Sequence, residues 1–375
     1  MPTTVLCDAV PFCFGPVSKM VSIARHLEGR GIRLPFLASG TSIDFANQAG
    51  LFDVVLCNSE KDSNLEKEKA LFEEADVFVS VMNPESAHFA QKCGVPVVYI
   101  DSLFWMWGKV PPHLYDVEKY FIQNFTGIEN QLTTVPKNFR YEIVGPIIDD
   151  SFPIVETHED SIVVSLGGME SSLIQVGVNS NYPFVVGGIV ADVLSERKED
   201  VYFCGYNKII SRLASSKRYS NIKFGQFEHS HFLSLLAKSK LAITTPGLTT
   251  AFEAFFYETP AIFLPPENYS QYLNLNTFRA ASSASLSFQW SDFYSEMDIG
   301  PCEEEKAGID KVLKYVRKFE GDKNMQRRFA ERLHEMIDDD LSEIKRKQKK
   351  FINRMGASSA RHIADYILTE FCRGA

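Results

Sequence analysis

Thr244–Asn274 reads TTPGLTTAFEAFFYETPAIFLPPENYSQYLN. LAITTP ends as a strand, and Gly247 permits the backbone to turn into a helix. The apolar spacing predicts that helix over Leu248–Tyr257, with Thr249 and Thr250 in its first turn. Glu253 follows four residues after Thr249 and three after Thr250, so the three polar side chains share a face, while Phe252, Phe255 and Phe256 form the opposite stripe. The free N–H groups and macrodipole at the helix start favour an anion. A carboxylate nearby repels an anion but accepts hydrogen bonds from a diol, and phosphate plus ribose satisfies both. Two readings stay open: a nucleotide cradle, or a threonine-capped helix with an exposed glutamate. The next loop, PPENYSQYLN, presents Glu267, Asn268, Ser270, Gln271 and Asn274 at the same end of the sheet.

Outward from this unit, short apolar runs alternate with helical patterns. VLC (5–7), RLPFLA (33–38), DVVLC (53–57), DVFVSV (76–81), PVVYID (96–101) and EIVG (142–145) read as strands in the first half. In the second, SIVVSLG (161–167), VYFCG (201–205), IKFGQF (222–227), LAITT (241–245), AIFLP (261–265) and SLSFQW (285–290) do. Helices alternating with strands imply parallel βαβ units, hence α/β, with two doubly wound Rossmann-like domains facing a cleft. VGPIIDDSFPIVETHED (144–160), with two prolines, five carboxylates and no helical period, reads as a linker. The expected domains are 1–150 and 158–320, followed by a helical tail over 321–375.

The remaining signals bound the function. The chain has 375 residues, 45% hydrophobic and 23% charged, with net charge −9. That balance argues against nucleic-acid backbone binding, despite the basic run KRKQKK at 345–350. Seven cysteines are scattered without a C-x-x-C pair, which suits reduced thiols and argues against a zinc site. The longest apolar run, Val95 to Trp107, contains Asp101 and is too short to cross a bilayer, and the N-terminus shows no signal-peptide pattern. These features lead us to expect a cytoplasmic protein without stable membrane insertion; they leave its oligomeric state open.

T-P-G-L-T-T-A-x-E-A-x-x-x-x-T-P-A-x-x-x-P-x-x-x-x-x-Q, from Thr245 to Gln271, resembles the donor motif of GT-B-fold glycosyltransferases. It is most similar to the UDP-glycosyltransferases and the MurG-type transferases, whose usual form is G-G-x-x-T-x-x-E-A-x-x-x-G-x-P-x-x-x-x-P-x-x-x-[DE]-Q. The resemblance implies that Gly247, Leu248 and Thr249, with Thr250 beside them, hold the diphosphate of a UDP-sugar or related nucleotide-sugar. It implies Glu253 for the ribose hydroxyls and Asn268 to Gln271 near the donor sugar. Pro246 replaces the usual first Gly, and Ser270 stands where an acid normally precedes the Gln. SLGGMES (165–171) matches the Gly-rich loop that approaches the diphosphate, through Gly167 and Gly168. NIKFGQF (221–227) makes Phe227 either a neighbour of the uracil or a core aromatic.

By the same resemblance the N-terminal domain binds a small-molecule acceptor. Its first loop, CDAVPFCFGPVSKM, has Ser18-Lys19 where the family carries a Gly-His histidine. A base must titrate near neutrality or be a carboxylate within reach, and Ser18 alone is not one. Asp8, Asp101, Glu85 and His88 are the other candidates. Asp101 reads either as a group opening beyond its strand or as a turn cap beneath the aromatics Phe104, Trp105 and Trp107. His88, three residues after Glu85 inside a helix, reads as structural. Lys19 at a helix start is unfavourable by the dipole rule, which suggests an anionic neighbour: a phosphate, a sugar carboxylate or Asp8. FGPVSKM and YIDSLFWMW are also similar to cytosylglucuronate synthases. Asp338-Asp339-Asp340 contains a D-x-D but lies in the charged tail and reads as a solvated face. The resemblance implies that helix dipoles and side chains hold the leaving diphosphate, so no metal or other cofactor is expected. The resulting expectation is glycosyl transfer with inversion. A hydrolase or 2-epimerase of the same fold, or a non-catalytic nucleotide-sugar binder, is the alternative.

Overall fold

The computed structural model describes residues 2–155, 158–216, 219–300 and 304–372. Glu156 and Thr157 of the linker stretch, and Cys302, lie outside them. The chain divides into two units. One comprises the residues up to Asp150 together with those from Met355 onward, and the other is Ser151–Arg354.

In chain order the first unit contains β1 (Val5–Ala9), α1 (Gly15–Ala24), β2 (Pro35–Ala38), α2 (Ser42–Ala49), β3 (Asp53–Leu56), α3 (Asp62–Leu65), α4 (Lys69–Glu73), β4 (Val77–Val81), α5 (Pro84–Lys92), β5 (Val97–Asp101), β6 (Lys119–Gln123), α6 (Ile128–Leu132) and β7 (Glu142–Val144). The second contains β8 (Glu159–Ser165), α7 (Tyr182–Ser195), β9 (Asp200–Cys204), α8 (Asn207–Ser216), β10 (Ile222–Gly225), α9 (His229–Lys238), β11 (Ser239–Thr244), α10 (Leu248–Phe256), β12 (Ala261–Phe263), α11 (Tyr269–Ala280), α12 (Glu305–Gly321), α13 (Lys323–Ile337) and α14 (Ser342–Met355). A last helix, α15 (Ala360–Phe371), returns to the first unit.

The first unit is built on a parallel seven-stranded sheet in the order β3-β2-β1-β4-β5-β6-β7. Successive strand residues point to opposite faces. Val5, Cys7 and Ala9 therefore join one core with α1, α2 and α15, while Leu6, Phe78, Tyr99, Tyr120 and Ile122 join the other. Both faces being covered explains the nearly unbroken apolar strands.

The tail differs from the expected separate segment over 321–375. α12, α13 and most of α14 belong to the second unit, whereas α15 lays Ala360, Ile363, Ala364 and Ile367 onto the first sheet. The crossing is fixed by a close approach: a Cβ on Gly145 would sit 1.9 Å from the carbonyl oxygen of Ala357. Ser359 N–H donates to the Pro146 carbonyl at 2.9 Å. That contact gives the glycine of the VGPI stretch a structural reason.

The second unit carries a parallel five-stranded sheet in the order β10-β9-β8-β11-β12. SLSFQW (285–290), expected as a strand, makes only an isolated bridge between Ser287 and Phe263. It stops because Gln289 and Asp292 form a capping box around the 3-10 turn Trp290–Asp292, and Arg279 binds the Ser287 carbonyl at 3.1 Å. No helix among the described residues is long and apolar enough to cross a membrane.

Candidate functional site

In the second sheet the chain moves from β8 outward to β9 and β10, then returns to the other side of β8 with β11 and β12. The switch point thus falls between β8 and β11, and ligands of open α/β sheets sit beyond the strand ends at such a point. The two loops that leave it are tied together. Thr244 Oγ1 and Thr245 N–H both donate to the Ser165 carbonyl, at 3.0 and 3.2 Å. Gly167 and Gly168 lie in one of these loops and Gly247 in the other.

The two loops use glycine differently. Gly167 has φ +68, a left-handed conformation that favours glycine, and Met169 follows at φ 59. A left-handed methionine costs about 1–2 kcal/mol, strain of the kind that collects around ligand loops. Gly247 was expected to supply a special turn, but it has φ −74 and ψ 140, which any residue adopts. A Cβ there would meet nothing within 4 Å. Neither backbone nor packing requires this glycine; it leaves space in front of the first turn of α10. Gly247, at the cap position, brings no side chain to that turn. Leu248 and Thr249 of the turn are buried and Thr250 is half-buried.

Glu253 lies in the second turn of α10 and is 1% exposed, so it is not the solvated glutamate of the simple capped-helix reading. Its Oε1 accepts from Nε2 of His229, the first residue of α9, at 2.9 Å. His229 was not among the sequence candidates: its partner is 24 residues away across a strand, and no local spacing announces the pair. Phe227, two residues earlier, is half-buried rather than core. Its ring meets His231 and Tyr202 edge-on at centroid distances of 5.3 and 6.3 Å.

Of PPENYSQYLN, read above as a loop, only residues 265–268 are loop, and Tyr269 onward is the start of α11. Tyr182 OH donates to the Pro265 carbonyl at 2.5 Å and Trp290 Nε1 to the Pro266 carbonyl at 2.7 Å. Asn268 caps α11, its Oδ1 accepting from Gln271 N–H at 3.0 Å and Ser270 Oγ at 2.9 Å. Gln271 Nε2 donates to Glu267 Oε1 at 3.0 Å and to Thr245 Oγ1 at 3.4 Å. Glu267 thus lies beside the glutamine that Ser270 precedes. Asn274 holds the Pro246 carbonyl at 3.0 Å through Nδ2. Among the described residues no donor reaches its buried Oδ1, the kind of atom a ligand hydroxyl satisfies.

In the first unit the switch point lies between β1 and β4. Asp8, fully buried at the end of β1, accepts from Asn83 Nδ2 at 2.8 Å and Ser86 Oγ at 2.6 Å. Burial pushes its carboxyl up to about 6, outweighing hydrogen bonds from Ser80, Ser86, Ser59 and Asn83. Of the two readings of Asp101, the turn cap matches its contacts: it is buried at the end of β5, accepting from Tyr120 OH at 2.7 Å, Leu103 N–H at 2.8 Å and Trp107 Nε1 at 3.2 Å. Burial raises it to about 6 as well, against those three bonds. Ser18 Oγ donates to the Gly15 carbonyl at 2.9 Å. Lys19 is 2% exposed, so replacing it removes packing as well as charge. Stability should then fall along with any activity. The His88 and His113 rings meet at a tilt, with centroids 4.5 Å apart on the α5 side, and Glu85 is exposed. The Asp338–Asp340 triplet ends α13: Asp338 pairs with Arg197 at 2.8 Å and Asp340 accepts from Ser342 N–H at 3.0 Å. Among the described residues no three His, Cys, Asp or Glu side chains converge as metal ligands.

A raised carboxyl destabilises the fold once ionised. The Asp8 contribution is fully present below the unfolded value of 3.8 and is lost as pH rises through about 6. Asp8→Asn removes that dependence. It is expected to gain on the wild type by about 2 kcal/mol between about pH 4.5 and about pH 7.5. Denaturant melts of both proteins at the two pH values check this.

No protein-family model matches the sequence, and no curated protein is similar to it. Solved structures are similar in fold. A UDP co-structure of MnaA from S. aureus has a TM-score of 0.57 at 12% identity, covering 99% of this chain and 97% of that one. UGT89C1 of Arabidopsis thaliana complexed with UDP has a TM-score of 0.54 at 12% identity, covering 99% of each chain. MurG of Acinetobacter baumannii has a TM-score of 0.51 at 13% identity, covering 98% of this chain and 100% of that one. The likeness at this identity is one of architecture, and the architecture is the GT-B fold with its two Rossmann-like sheets.

Proposed function

We propose that the protein is a cytoplasmic glycosyltransferase. It moves a sugar from a nucleotide-sugar, UDP-sugar foremost, to a small-molecule acceptor with inversion. One observation carries the reading: the start of α10 opens at the switch point of the second sheet, with room at Gly247 that the fold does not need. Helix N–H groups and dipole there suit a diphosphate. The buried Glu253 carboxylate one turn further suits a ribose diol, and Phe227 a base. Two of the structures alike in fold carry UDP, which supports a nucleotide ligand. In the first unit, Asp8 is a carboxyl raised toward neutrality whose Oδ1 has no partner among the described residues, which suits a base for an acceptor hydroxyl or amine; both oxygens of Asp101 are held by Tyr120, Leu103 and Trp107. Helix N–H groups stabilise the leaving diphosphate, and the proposal needs no metal.

A second reading rests on Ser18, whose hydroxyl is engaged by its own helix start where the family carries a histidine. Without a base at that position, water or the sugar itself replaces the acceptor, giving a hydrolase or 2-epimerase. Loss of chemistry altogether leaves a binder. A panel of UDP-sugars with and without candidate acceptors separates these. Transfer predicts UDP release that depends on acceptor. Release without acceptor supports the hydrolase, an isomerised sugar the epimerase, and thermal stabilisation without turnover the binder.

A further inference from the structure

Glu253 does not stand alone. A carboxylate only accepts hydrogen bonds, so at 2.9 Å it is His229 Nε2 that carries the hydrogen to Oε1. Both side chains are almost completely buried, 3% and 2% exposed. A buried carboxylate with one oxygen fixed has one orientation, and its other oxygen then has a set direction. His229 is itself placed firmly. It is the first residue of α9, whose cap residue Glu228 accepts from His231 N–H at 3.2 Å and from Ser230 Oγ. Phe227 immediately precedes that cap. The segment Phe227–His229 thus carries an aromatic ring at one end and the support of the carboxylate at the other.

We propose that His229 is a positioning residue for ligand binding. By holding Oε1 of Glu253 it aims the second carboxylate oxygen at the ribose hydroxyls, and the pair thereby separates ribonucleotides from 2′-deoxyribonucleotides. The inference rests on the nucleotide reading of the site. It goes beyond that reading in assigning sugar discrimination to a residue that touches no part of the nucleotide. A carboxylate free to rotate in a buried slot spreads its hydrogen-bonding capacity over several directions. A fixed one concentrates it on the diol and leaves an unpaired acceptor when the 2′-hydroxyl is missing.

The test is calorimetric titration of the full chain with UDP and with 2′-deoxy-UDP. Wild type, His229→Leu, His229→Asn and His229→Gln are compared, each checked for folding by circular dichroism. Glutamine places an amide N–H near the position of Nε2; asparagine falls short of it, and leucine offers no donor. Wild type is expected to prefer UDP by roughly tenfold or more, the scale of one lost hydrogen bond in a site built for it. His229→Leu and His229→Asn should weaken UDP about tenfold while leaving 2′-deoxy-UDP within about twofold, so that the preference collapses, and His229→Gln should restore most of it. Equal losses for both nucleotides, or an unchanged UDP affinity, would overturn the inference while leaving the nucleotide site standing. Failure of wild type to bind UDP at all would instead overturn the reading of the site, and the inference with it. If Leu does not fold, the Asn and Gln pair still decides the matter.

Discussion

Gly247→Ala is expected to weaken UDP binding by about a hundredfold while leaving the fold in place. The two halves of that expectation come from the same geometry. With φ −74 and ψ 140, alanine is comfortable at this position, and its Cβ meets no atom within 4 Å. The stability cost is then the cap preference of glycine over alanine, at most about 1 kcal/mol. The ligand cost is larger. A phosphate oxygen bonded to first-turn N–H groups must come within about 3 Å of the backbone, where the new methyl stands. Losing two charge-assisted bonds of about 1.5 kcal/mol each amounts to about a hundredfold. Calorimetric titration with UDP and a thermal melt on the same sample check both halves. A variant that binds UDP like the wild type would remove Gly247 from the site.

Glu253→Gln is expected to weaken UDP about thirtyfold and to abolish any preference for UDP over 2′-deoxy-UDP. Two effects oppose each other here. Removing the carboxylate relieves its repulsion of a diphosphate about one helical turn away, on the order of 1–2 kcal/mol at partly screened dielectric. It also removes charged acceptors from a ribose diol, together about 3–4 kcal/mol. The hydrogen bonds win by about 2 kcal/mol, which sets the expected factor. Glutamine keeps a carbonyl to accept from His229 Nε2, so the buried imidazole retains a partner and the fold should hold. Alanine would strand that imidazole and confuse a loss of binding with a loss of stability. Titration of Glu253→Gln with the two nucleotides reads the result. Tighter UDP binding in this variant would show that Glu253 faces phosphate rather than ribose.

Much of the architecture was legible because buried parallel strands are written as short apolar runs between helical patterns. What failed did so for identifiable reasons. β6 escaped notice because KYFIQ has only three apolar residues between a lysine and a glutamine. SLSFQW has the apolar content of a strand, yet Gln289 and Asp292 close a turn on it. The period of Ile363 and Ile367 marks a helix without saying which sheet it covers. That is decided by the Gly145–Ala357 approach, a contact between distant segments.

The site was half legible. The Gly-Leu-Thr-Thr helix start and its glutamate lie at the switch point of the second sheet, and the reason for Gly247 changed from conformation to space. Gln271 and Asn268 were read as near a sugar; in the structure Asn268 caps α11 and Gln271 Nε2 bonds to Glu267 and Thr245. His229 was invisible because only the fold brings α9 against α10.

The central claim is that a nucleotide diphosphate sits at the start of α10. A crystal structure of the chain soaked with UDP tests it directly. The account predicts the diphosphate between the Gly167 and Gly247 loops, the ribose hydroxyls on Glu253 and the uracil beside Phe227. UDP bound away from Glu253 would contradict it.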